Sequence, residues 1–75
     1  MWDERLSRLF GIIGTLSPHS QITVQDLAKE YEVSERTIQR DLEALQEAKL
    51  GIFYDGESIK ISRIGYRKIR SWMLG

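Results

Sequence analysis

No cysteine occurs in the 75 residues, so neither a disulfide nor a thiolate metal site can brace the fold. That absence fits a reducing cytosol. One proline and one histidine are present, side by side as Pro18-His19, and a lone loop histidine gives no reason to expect a metal. No apolar run reaches the ~18 residues of a membrane span. The opening Met-Trp-Asp-Glu-Arg lacks the basic and apolar regions of a signal peptide, so a cytoplasmic chain is expected. Neither a Gly-rich phosphate loop nor a Ser/His/Asp set is visible. The carboxylate pairs Asp26/Glu30 and Glu43/Glu47 read as solvated helix charges, because catalysis needs them in a cleft. The expectation is therefore no enzyme and no cofactor.

Net charge is also absent: 11 basic residues balance 11 acidic ones. Nucleic-acid binders are often basic overall, so the total argues mildly against one. The distribution differs from the total. Residues 1–33 sum to −2, residues 34–50 to −1 and residues 51–75 to +3. A chain this short makes one small domain, burying only about 60% of its unfolded surface. Its 41% hydrophobic content is that of an ordinary folded domain.

What is present is organised around residues 34–45, SERTIQRDLEAL. Ile38, Leu42 and Leu45 recur at i, i+4, i+7 and make one apolar stripe. Ser34 is placed to cap the first turn. Arg36, Thr37, Gln39 and Arg40 lie off the stripe near the N-terminal end, where a helix in the major groove presents donors to base edges. The bland alternative for Arg36 and Arg40 is a solvated face paired with Glu35 or Glu43. Asp41 would repel phosphate if it faced DNA, so it reads as structural, bonding an arginine or a backbone group.

The flanking segments supply a scaffold. Leu6, Leu9, Phe10, Ile13 and Leu16 predict a first helix over 3–17, with Trp2 preceding it on the same face. Gly11 and Gly14 weaken it and suggest close packing. Ser17-Pro18-His19-Ser20 stops it. Residues 21–23 form a one-rung strand or an extended lead-in. Thr23 and Asp26 make a weak capping box for a second helix over 24–31. Glu32-Val33 then makes a tight turn, Val33 plugging between the helices. The third helix runs over about 35–48, to Ala48 or Lys49, and Gly51 ends the region. The runs 52–54 and 59–61 around Asp55-Gly56 signal a hairpin in the position of a wing.

Residues 62–73 fit a terminal helix capped by Ser62, or else a strand through 64–66. On the helix, Ile61, Gly65, Ile69 and Trp72 share one face and Lys60, Arg63, Arg67 and Arg70 another. That basic row could meet phosphate or simply be solvated. Lys60 and Arg63 are better phosphate candidates than the acidic tip at 55–57. Trp2 and Trp72 read as core residues; an exposed pair would suggest a dimer surface. The expected fold is mainly α with a small β-hairpin: a three-helix core, a wing at about 52–61 and a C-terminal helix at 62–73, in one domain spanning 1–75.

SERTIQRDLEAL resembles the second helix of the DeoR-type helix-turn-helix, shared by DeoR-family repressors and the N-terminal domains of WYL-domain regulators. The preceding ITVQDLAKEYEVS is similar to the first half of that motif. The resemblance covers roughly residues 4–61. It implies a winged helix-turn-helix, double-stranded DNA as partner, bacterial transcription regulation and a homodimer. It places Ser34, Arg36, Thr37, Gln39 and Arg40 at DNA-facing positions. Glu32 stands where the family commonly has glycine, and Gln39 where arginine is more usual. The segment after the hairpin does not match the link to a sugar-phosphate-binding domain, which favours a WYL-type regulator or a stand-alone domain. No effector ligand is visible in this chain. A winged-helix protein–protein module remains the alternative.

Overall fold

The computed structural model describes residues 3–74, and the side chains of residues 3–72. Trp2, expected on the face of the first helix, lies outside them. The described residues form α1 (Glu4–Thr15), α2 (Val24–Tyr31), α3 (Glu35–Glu47), β1 (Ile52–Tyr54), β2 (Ile59–Ile61) and α4 (Arg63–Leu74). This is a winged helix-turn-helix: a helical core, a two-stranded antiparallel wing and a terminal helix.

Each helix begins on a side chain suited to its orphan N–H groups. The Asp3 carboxylate accepts from Arg5 N–H, so α1 starts one residue later than its apolar spacing predicts, and it ends at Thr15, with Leu16 as its C-cap, rather than at residue 17. Thr23 and Asp26 form a complete reciprocal capping box, stronger than expected. The Ser34 hydroxyl accepts from Thr37 N–H at 3.1 Å. Ser62 caps α4 by accepting from Gly65 N–H at 3.0 Å, so this segment is helical and not a strand.

The core joins all layers. Ile12 of α1 and its C-cap Leu16, Leu27 and Ala28 of α2, and Ile38, Leu42 and Leu45 of α3 pack with Ile52, Ile59 and Ile61 of the wing and Ile69 of α4. Val33, half-buried, packs against this cluster from the turn. Residue 22 forms a single rung: Ile59 N–H donates to the Ile22 carbonyl at 2.7 Å. The wing is thus stitched to the lead-in of α2.

Two close approaches fix the helices. At Gly11 a Cβ would sit 2.2 Å from the Tyr31 hydroxyl, so α1 and α2 meet there. At Gly65 a Cβ would sit 1.9 Å from the Leu50 carbonyl oxygen, so α4 rests directly on backbone. The end of α3 falls within a residue or two of expectation, with Ala48 as its C-cap. The helix stops at Glu47, and Lys49 takes the left-handed conformation (φ 58°). Gly51 (φ 80°) instead turns the chain into β1, in a space closed to any side chain by Ser62.

Trp72 corrects the expected core position: it is 62% exposed. Gly65 and Ile69 bury the stripe to which it belongs, but α4 carries Trp72 beyond the edge of the core.

Candidate nucleic-acid interface

Helix α3 turns its apolar stripe inward and leaves Glu35, Arg36, Gln39, Arg40, Glu43 and Glu47 exposed. Among the described residues, the side chains of Arg36, Gln39 and Arg40 form no hydrogen bond or ion pair. The expected alternative, in which Glu35 or Glu43 neutralises the arginines, is not formed. Three side chains with donors in the first two turns of one helix are therefore available to an external partner.

Ser34 and Thr37 are differently placed. Besides the cap, their hydroxyls share a hydrogen bond of 3.0 Å, and Thr37 is half-buried. They stiffen the start of α3 and keep lone pairs and backbone N–H groups near its positive end.

Asp41 is 1% exposed and turns away from the outer face. Arg8 of α1 donates to it through Nε and, at 3.2 Å, through Nη2. Arg5 adds an ion pair at 3.5 Å. The hydrogen bond to Asp41 raises the Arg8 pKa above its ordinary value. The sequence shows that Asp41 is off the donor face; only the packing identifies α1 as its anchor.

The turn before α3 places Glu32 in the left-handed region, at φ 53° and ψ 45°. This is where the resembling family commonly has glycine. The conformation lets Val33 N–H reach the Ala28 carbonyl at 3.0 Å and sets the angle between α2 and α3.

The wing is closed on itself. The Asp55 carboxylate accepts from Glu57 N–H at 3.0 Å and Ser58 N–H at 2.9 Å. Those backbone bonds, with Lys60 nearby, lower its pKa from 3.8 to about 2. Asp26 is lowered for the same reason, by its bonds to Thr23 and then by Lys29. The Lys60 ammonium donates to the Ser20 carbonyl at 3.1 Å and Ser58 Oγ at 3.0 Å, and pairs with Asp55 at 3.4 Å. All three of its protons thus have acceptors within the fold. Arg63 is exposed at the start of α4.

A groove of about 470 Å³ separates α3 from the wing. Glu35, Glu43 and Glu57 line it, with Gln39 and Gln46 along α3 and Phe53 and Tyr54 on the strand. The arginines are not among its lining residues, so the outer surface of α3 is divided between an arginine side and an acid-lined side. Sequence reasoning missed this groove. The spacing of Glu35, Gln39, Glu43 and Gln46 along one helix edge is a signal for half of it; the other half depends on where the hairpin folds back.

A family model described as "HTH domain" matches residues 8–67, most of the chain. No curated protein and no solved structure matches.

Proposed function

From the premise that this chain belongs to the helix-turn-helix domain family, a family of DNA-binding domains, we propose sequence-specific recognition of double-stranded DNA in bacterial transcription regulation. Helix α3 lies in the major groove and α2 crosses the backbone. Arg36 and Arg40 pair with guanine edges and Gln39 with adenine. Ser34 and Thr37 meet phosphate at the head of α3, and Arg63 meets it from the root of α4. Lys60, whose donors are already engaged, contributes charge rather than a new bond. The protein acts as a homodimer on paired half-sites roughly 34 Å apart. A DeoR- or WYL-type regulator is the class whose motif the SERTIQRDLEAL helix resembles.

The observation that carries this reading is the sorting of α3. Arg36, Gln39 and Arg40 face outward without internal partners, while Asp41 is drawn inward by Arg8. A titration against random duplex at about 50 mM salt, where a non-specific Kd of roughly 10⁻⁴–10⁻⁶ M is expected, tests it. Selection from a random pool then reads the preferred site. The rival is a protein–protein module, which the acid-lined groove and zero net charge favour. No duplex binding at low salt decides for the rival.

A further inference from the structure

We propose that α1 and α4 form the homodimer face, with Trp72 of each copy seated in a notch beside Gly14 of the other. This rests on the homodimer reading above and names its surface.

The knob comes from α4. Gly65, Ile69 and Trp72 follow at i, i+4, i+7, one continuous stripe along α4. The first two are buried, and the third overhangs the core. A large aromatic continuing a buried stripe into solvent is a feature awaiting a surface.

The notch lies one turn away. A cleft of about 200 Å³ opens between the end of α1 and α4, lined by Ile13, Gly14, Leu16, Tyr66, Ile69 and Arg70 among others. No heavy atom stands within 4 Å of where a Gly14 Cβ would be, so the notch is open at that point. A cavity of ~150 Å³ already accepts benzene, so an indole ring is a reasonable occupant in size. Arg70, held over the Tyr66 ring at 5.7 Å, edges the notch with a cation suited to an aromatic guest.

Both features point to a second copy of this chain. Ile69 lines the notch and Trp72 is the knob, so the two lie side by side. A two-fold axis between them exchanges knob and notch, as an isologous interface requires. The charges agree. Helix α4 carries Arg63, Arg67, Lys68 and Arg70 with no acid. Helix α1 begins with Asp3 and Glu4; its Arg8 is largely buried against Asp41, while its Arg5 pairs with Asp41 but stays half exposed. Asp3, Glu4 and Arg5 leave the start of α1 with a net outward charge of −1, opposite in sign to α4 of the other copy. Leu6 and Phe10, exposed on α1, extend the apolar area.

Sedimentation equilibrium of the full chain without DNA tests this up to about 100 μM. Wild type should dimerise. Trp72→Ala should weaken the dimer at least about tenfold. Gly14→Leu should do so as well by filling the notch from within. That variant enters open space on a helix and removes a poor helix former, so circular dichroism should show the fold retained. A wild-type chain that stays monomeric overturns both the homodimer and this surface, and leaves DNA binding to be judged by its own titration. A dimer unaffected by either variant leaves the homodimer standing and overturns this interface.

Discussion

Arg8 and Asp41, 33 residues apart, form a two-pronged ion pair that ties the first helix to the back of α3. The pair accounts for an acid in the middle of a helix whose outer face carries the free arginines. Its carboxylate is spent on holding α1 and cannot oppose phosphate. Replacing Asp41 with Ala should strand the largely buried Arg8 guanidinium. Breaking a buried pair costs about 3–5 kcal/mol. The lower end applies here, because Arg8 retains some access to water. Urea unfolding should show the loss as a lower midpoint, and an unchanged midpoint would remove the pair from the account of the fold.

Arg40→Ala has the opposite profile. Its side chain supports nothing within the domain, so thermal stability should hold. Affinity for a selected duplex should fall by at least ~1 kcal/mol, with relaxed preference at one base pair. Equal affinity in a fluorescence-anisotropy titration removes Arg40 from the proposed base contacts.

Glu32 bears a left-handed conformation that costs a non-glycine residue roughly 1–2 kcal/mol. Glu32→Gly should therefore stabilise the domain by about 1 kcal/mol, net of glycine's greater entropy when unfolded. Thermal melts compare the two chains. A destabilised variant would show that the Glu32 side chain contributes more than its strain.

The two helical glycines Gly65 and Gly14 should respond in opposite directions. Gly65→Ala forces a methyl into the Leu50 carbonyl and should lift α4 from the core, at a cost of about 1–3 kcal/mol. Gly14→Ala meets nothing and should stabilise by up to about 1 kcal/mol through helix propensity. Paired melts read both, and a tolerated Gly65→Ala would mean that α4 docks more loosely than its burial shows.

Asp55 sets a pH dependence in the wing. Its folded pKa, about 2, lies below the usual 3.8, so it stabilises the hairpin while ionised. That contribution is complete above about pH 4 and is lost as pH falls toward 2. The amide resonances of Glu57 and Ser58 should follow this titration in NMR spectra. A midpoint near 3.8 would show that the carboxylate does not hold those amides.

Most of the architecture was legible because its signals are local. Apolar spacing at Ile38, Leu42 and Leu45 places α3, and short side chains at Thr23, Ser34 and Ser62 mark helix starts. Asp55-Gly56 marks the hairpin. The outward placement of the candidate residues Arg36, Gln39 and Arg40 was legible, since it follows from the same spacing. The remainder depends on partners far away in the chain. Lys60 looked like a free cation until the fold brought the Ser20 carbonyl, 40 residues earlier, to its ammonium. Trp72 looked like core because its stripe is correct; only the extent of the core shows that α4 outruns it. The acid-lined groove needs both α3 and the wing before it exists.

The single rung at Ile22 has a consequence for how the domain comes apart. A hairpin of two three-residue strands is marginal on its own. Here Ile59 donates to Ile22, Ser20 Oγ donates to the Ile59 carbonyl at 2.9 Å, and Lys60 reaches the Ser20 carbonyl. All three links join the wing to the segment that leads into α2. Segments tied together in this way open together, at a free energy set by their shared contacts. The wing therefore belongs to the same melting unit as the helices that precede it, and its strands persist only while α2 keeps its N-terminal anchor. Unfolding should proceed as one transition, with no intermediate in which the helices stand and the wing is lost.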